Sequence, residues 1–250
     1  MSMEQRVPEP IAGISSMAMR DVLVELVDAF GRKNGQHVAV ESVGGIDVAR
    51  RIDAGEPFDF VVLASDAIVR LQSTGRIAPG SSIDLARSDI AIAIRSGAPR
   101  PDIRTEALIR DAVLSARRIG YSTGPSGAHV VRLFDGWGIT DIIASRMVQA
   151  RPGMAVGTLL ARGEVELGFQ QLSELINQSG VDVVGVLPPE IQVETVFSAA
   201  VCATSTRREA TRVLLSFLAS PEGDVTKHRH GMRPARAQIP SADVAASSSR

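Results

Sequence analysis

The chain has 250 residues, 44% hydrophobic and 22% charged, with a formal net charge of −1; this is a globular composition, long enough for one large domain or two small ones. The near-neutral charge gives no general attraction to nucleic acid or anionic membranes, and 4% aromatic content argues against stacking platforms for bases or sugars. Cys202 is the only cysteine, which excludes an internal disulfide and a thiolate metal cluster.

Residues 1–10 are polar and contain two prolines, without a basic segment followed by an apolar one. The chain as it stands is therefore expected in the cytoplasm, or in the periplasm if a leader has been removed. No apolar run reaches membrane-spanning length.

Pro10–Ile14 predicts a first strand, followed by a Ser15-Ser16 loop. Met19, Val22, Leu23, Leu26, Val27 and Phe30 then mark one face of a helix that stops near Asn34-Gly35. His37–Ser42 predicts a second strand, Gly44-Gly45 a turn, and Ile46, Ala49 and Ile52 a second helix. Phe58–Leu63 is apolar apart from Asp59, as in a strand covered on both faces. A third helix is predicted over Asp66–Ser73.

This βαβαβα order implies a parallel, doubly wound sheet with right-handed crossovers. Ligands in such sheets bind beyond the carboxyl ends of the strands, where Ser15-Ser16, Gly44-Gly45 and Ala64-Ser65 all fall. Asp89–Arg95 predicts another strand, and the pattern restarts. A helix over 105–115 precedes a strand at Arg118–Ser122 and the stretch Thr123-Gly124-Pro125-Ser126-Gly127-Ala128-His129. Two glycines, a proline and hydroxyl residues ahead of Val130, Leu133, Phe134 and Trp137 predict backbone N–H groups turned outward at a helix start. Such a turn suits a carboxylate or oxyanion.

Further elements follow: a strand at Met147–Ala150, the loop Arg151-Pro152-Gly153, and a helix through Leu159 and Leu160. Next come a strand at Glu166–Phe169 ending in Gln170-Gln171, a helix to Gln178, and a strand at Val181–Leu187. Gln192–Thr204 predicts a strand returning to the first unit, and within it Cys202 reads as a small core residue. An amphipathic helix over Ala210–Leu218 precedes Ser220-Pro221-Glu222-Gly223. The Ala/Ser-rich tail from Gln238 is expected to fray.

Two α/β units joined by crossing segments near Ser88–Arg95 and Val193–Thr204 resemble a type II periplasmic binding protein. The fold class expected is thus two doubly wound α/β lobes joined by two crossovers. The first lobe is expected over 1–88 and 200–250, the second over 89–199. Ser15-Ser16, the run from Gly44 to Gly55, Phe58–Val62 and Phe217–Gly223 are similar to the molybdate-binding component of bacterial ABC importers.

The resemblance implies an anion held without metal or cofactor by hydroxyls and helix-start N–H groups, and an ABC membrane component as partner if the chain is exported. By position it places the first-loop serine at Ser15 or Ser16. A second falls on Gly44-Gly45, which keeps the N–H and loses the hydroxyl. The Pro-Ala-Gly turn falls on Pro125-Ser126-Gly127, a backbone amide near Gly153, and a binding tyrosine near Gln171, whose amide can also donate. Thr123 and Ser126 add donors, and the small residues at 44 and 45 leave room for a di- or tricarboxylate beside molybdate or tungstate. Arg151 could clamp a carboxylate bidentately.

The alternative is a cofactor-free isomerase of an unsaturated tricarboxylate, of the kind that acts on aconitate. Moving a proton between carbons needs a general base near neutral pKa. His129 is then the candidate, with Tyr121 second; His129 reads more readily as a solvent-facing residue of a helix's first turn. Arg50-Arg51, Arg117-Arg118 and Arg207-Arg208 read as solvated faces. No DNA-binding helix pair or basic stripe is present.

Overall fold

The computed structural model describes residues 9–236. The expectations for the first eight residues, and for the tail from Gln238, lie outside the described residues.

The chain begins with strand β1 (Ile11–Ser16), a short 3-10 turn (Met17–Met19) and helix α1 (Arg20–Asn34). Val22, Leu23, Leu26, Val27 and Phe30 point inward at helical spacing, and Gly35 ends the helix at φ 65°. β2 (Val38–Val43), α2 (Gly45–Asp53), β3 (Phe60–Ala64) and α3 (Ser65–Ser73) follow in the expected alternation. β1 runs parallel to both β2 and β3, and every residue of β3 is buried. Ser15 and Ser16 are the last residues of β1 rather than a loop after it, because their backbones stay in register with Ser42 and Val43.

β4 (Ile83–Ser88), which periodicity did not reveal, leads through Asp89 into β5 (Ile90–Arg95). The first belongs to a six-stranded sheet ordered β11-β4-β10-β3-β1-β2 and the second to a five-stranded one ordered β7-β6-β8-β5-β9. The second sheet is built from β5, α4 (Glu106–Ser115), β6 (Ile119–Tyr121), α5 (Pro125–Gly136), α6 (Thr140–Ile143), β7 (Met147–Gln149), α7 (Val156–Ala161), β8 (Leu167–Gln171), α8 (Leu172–Leu175) and β9 (Val181–Val186). β10 (Thr195–Val201) returns to the first sheet, antiparallel to β3 and β4. The return expected at 199/200 thus falls inside a strand that enters that sheet at Thr195. α9 (Arg208–Ala219), α10 (Asp224–Arg229) and β11 (Met232–Pro234) complete the first lobe.

Each lobe has its own core. Phe30, Phe60, Phe197 and Leu214 pack under one face of the first sheet, and Ile92, Val130, Phe134 and Phe169 under one face of the second. Cys202 is buried against β3 and α3, and burial, aided by the Asp59 charge, pushes its thiol up to about 12. A thiolate is therefore scarce at neutral pH.

The two crossings are tied to each other. Gln192 accepts from Ile90 N at 3.0 Å and donates back to Ile90 O at 3.1 Å. Arg233 pairs with Asp89 and Glu194, one on each crossing. Two arginines read as solvated faces hold structure instead: Arg51 bridges Glu41 and Glu56 over the Phe58 ring, and Arg207 pairs with buried Asp59 at 2.7 Å.

Candidate functional site

The carboxyl ends of β1, β3, β6 and β8 converge on a cavity of about 410 Å³ between the lobes. The first lobe contributes Ser16, Met17, Ala18, Gly44, Gly45 and Leu63, the second Thr123, Ser126, Gly153, Gln170, Gln171 and Glu174. Three helices start at this cavity, and none is capped by its own N-cap side chain: α2 after Gly44, α3 after Ala64, and α5 after Gly124, where Ser122 Oγ takes the Gly127 N–H and Ser126 N–H is left. Their exposed N–H groups and macrodipoles bring partial positive charge from both lobes to one place.

The lobes approach closely at the rim. A methyl group added to Gly44 would lie 3.6 Å from the Gly153 nitrogen and 3.9 Å from Pro152. On the opposite side Asn177, after α8, meets His230 Nδ1 at 2.9 Å, while His230 Nε2 lies 2.8 Å from Glu25 on α1. Asn177 thereby ties the second lobe to the first.

Of the residues expected at the site, Ser16, Gly44, Gly45, Thr123, Ser126, Gly153 and Gln171 line the cavity. Ser16 Oγ and Gln171 Oε1 are buried with no hydrogen-bond partner among the described residues. Gln171 Nε2 is occupied, donating to Thr195 Oγ1 at 2.7 Å. The donor expected of Gln171 is therefore engaged, and what remains unpaired is an acceptor. Ser126 Oγ lies 2.9 Å from Ser122 Oγ, which accepts from Gly127 N at 3.2 Å. When Ser122 donates to Ser126, the Ser126 proton is left for a ligand.

Five expected residues do not line the cavity. Ser15 alternates to the other face of β1, where its hydroxyl meets Ser42 Oγ at 2.8 Å. Gly127 serves the loop: a Cβ there would sit 1.8 Å from the Ser122 carbonyl oxygen, so only glycine lets α5 start so tightly. Arg151 is exposed to solvent, and Arg70, paired with Asp66 at 3.0 Å, is the one cation on the cavity wall among the described residues. His129 turns away, its Nε2 2.9 Å from the Ile191 carbonyl, and that carbonyl only accepts, so Nε2 carries the proton. Tyr121 is half-buried in β6, paired with Gln149 and Phe169.

A carboxyl that local pattern did not single out faces the cavity instead. Val156 N donates to Gln170 Oε1 at 2.7 Å, which fixes the orientation of that amide. Gln170 Nε2 then points to Glu174 Oε1, also at 2.7 Å. Burial raises the Glu174 carboxyl to about 7; the Gln170 bond works against this, and the negative Asp21 across the cleft adds to it. The remaining wall is apolar, with Met17, Ile46, Leu63, Met154 and Phe197. A second cavity of about 340 Å³ shares Ala64, Asp66, Pro125 and Ala128 with the first and carries Arg132 on its wall.

Comparison with known proteins agrees with this architecture. The chain is 34% identical to the aconitate isomerase of a Pseudomonas species over 232 residues, covering 90% of this chain and 88% of that one. The periplasmic molybdate-binding protein of Azotobacter vinelandii superimposes with a TM-score of 0.76 at 19% identity, covering 89% of this chain and 98% of that one. The sulfate-binding protein SubI of Mycobacterium tuberculosis does so with 0.72 at 19% identity, covering 90% and 87%. Residues 11–233 match the bacterial extracellular solute-binding proteins. With two lobes, two crossings and an interlobe cleft in the type II arrangement, the chain belongs to that family.

Proposed function

We propose that the interlobe cavity binds an unsaturated tricarboxylate of the aconitate type and isomerises it without a cofactor. The observation that carries this reading is the cavity itself: about 410 Å³, apolar along its walls, with unpaired neutral polar atoms contributed by both lobes. Pockets for small organic ligands span about 300–1,000 Å³. A tetrahedral oxyanion would leave most of this space empty, whereas a carbon skeleton suits Ile46, Leu63, Met154 and Phe197. The carboxylates would take the N–H groups at the starts of α2 and α5 and the hydroxyls of Ser16 and Ser126. Arg70 at the wall would take a further carboxylate. The identity with an aconitate isomerase over nearly the whole chain supports the same reading.

Family membership favours a second reading, in which the bound acid is delivered to a membrane transporter instead of converted. The test is direct. Cis- and trans-aconitate, each incubated with the protein and followed by NMR, are expected to interconvert. No interconversion, together with calorimetric binding of either acid, would favour the receptor. Binding of molybdate alone would overturn both.

A further inference from the structure

We propose that Glu174 is the catalytic acid–base of the cleft, taking a proton from one carbon of the bound acid and returning it to another. The proposal rests on the reading of the cavity as a tricarboxylate site and assigns the group that does the chemistry there.

The geometry singles this residue out. Among the described residues the cavity wall carries three ionisable groups: Asp66, Arg70 and Glu174. Asp66 and Arg70 pair with each other, their side chains 68% and 69% exposed, in wet surroundings unsuited to removing a proton from carbon. Glu174 is half-buried in the second lobe's wall. Gln170 holds one of its oxygens at 2.7 Å, and Gln170 is itself held by the Val156 N–H. The second oxygen, Oε2, makes no hydrogen bond among the described residues and is free to take a proton. His129 and Tyr121, the residue types more often recruited for this task, stand outside the cavity.

The step balances with no outside reagent. A C–H bond beside the double bond of the acid breaks, and an O–H bond forms on Glu174. The electron pair spreads over the three allylic carbons and into the conjugated carboxylate. The oxygens of that carboxylate lie where the helix-start N–H groups and the Ser16 and Ser126 hydroxyls can stabilise the added charge. The O–H bond then breaks, a C–H bond forms at the far allylic carbon, and the double bond moves by one position. Nothing is oxidised or reduced, and Glu174 ends as it began. A carboxyl held near pH 7 by burial exchanges such a proton more readily in both directions than one at its ordinary value. The charge acting on it is Asp21 from α1, the neutral Gln170 bonds it from β8, and the Asp66–Arg70 pair on α3 shares the cavity wall.

The experiment compares the full chain with Glu174→Gln and Glu174→Asp. Turnover and incorporation of deuterium from heavy water are followed by NMR on cis- and trans-aconitate, and binding of saturated tricarballylate by calorimetry. Glu174→Gln is expected to lower kcat by about a thousand-fold, within the range typical of general acid–base catalysis. Its Kd for tricarballylate should stay within several-fold of the parent value. Glu174→Asp should recover part of the rate, and the parent kcat/KM should rise with pH through about 7 as the base form appears. A Glu174→Gln protein that turns over within ten-fold of the parent overturns the assignment. So does one whose rate and tricarballylate affinity fall together, since that describes a binding residue. A parent protein that converts neither acid removes the functional reading itself, a result distinct from either of these.

Discussion

The two walls of the cleft are built differently. The first lobe offers small residues and backbone: Gly44, Gly45, Ala49, Ala64 and Ala67, with Ser16 as its one unpaired hydroxyl. The second offers side chains that hold or exchange protons: Ser122, Thr123, Ser126, Gln170, Gln171 and Glu174. The first wall's ionisable groups, Asp66 and Arg70, are exposed and paired with each other; the rest of that wall is peptide dipoles, which fix an anion but exchange no proton with it. The second wall carries a half-buried carboxyl, the group proposed to act on what the first wall holds. On the proposed reading, the division separates affinity, drawn from both lobes, from reactivity, placed in one.

The difference can be attacked at the second wall first. Gly127→Ala drives a methyl group against the Ser122 carbonyl at 1.8 Å, so the α5 start must shift. A loss of about 3 kcal/mol or more in urea denaturation is expected, with tricarboxylate binding lost alongside it. An unchanged protein would mean the loop is less constrained than its geometry implies.

Glu174 provides the next largest effect, read as stability against pH. Its folded pKa of about 7 lies above the ordinary carboxylate range, so below about pH 4.5 both states hold the proton and no penalty arises. As pH rises from there towards 7 the unfolded chain releases a proton that the folded chain keeps, and stability falls by roughly 3 kcal/mol in all. Glu174→Gln should abolish that slope and be the more stable protein at pH 8. Parallel stability curves for the two proteins would contradict the burial assigned to this carboxyl.

At the first wall, Ser16→Ala removes one neutral donor. A loss of about 1 kcal/mol, or several-fold in tricarballylate affinity, is expected by calorimetry with little change in kcat. The smallest effect belongs to His129→Ala. It should cost about 1 kcal/mol of stability through the lost bond to Ile191 and leave turnover unaltered. A large loss of turnover would return the histidine to the mechanism.

The sequence made the scaffold legible where local rules act. Alternating strands and helices, the apolar Phe60–Ala64 run and the glycine and hydroxyl residues at helix starts all lie within one element or one turn. The sites of error are those decided at a distance. Ser15 and Ser16 look alike in sequence, and only pairing with β2 sends one towards Ser42 and the other into the cleft. β4 carries the polar Asp84, Arg87 and Ser88 and follows the Pro79-Gly80-Ser81-Ser82 turn, so it reads as an extension of the loop. His129 has the right place on its helix, but Ile191, 62 residues on, captures its ring. Glu174 resembles any exposed glutamate of a short helix until the first lobe closes over it and brings Asp21 near.

The most direct measurement follows backbone amide signals by NMR as tricarballylate is added. The expected result is saturable shifts at Gly45, Thr123, Gly124 and Gly153, one set from each lobe with a single affinity, while Gly35, Gly80 and Gly97 stay still. Shifts confined to one lobe, or spread over glycines remote from the cleft, would contradict the claim that both lobes grip one organic anion between them.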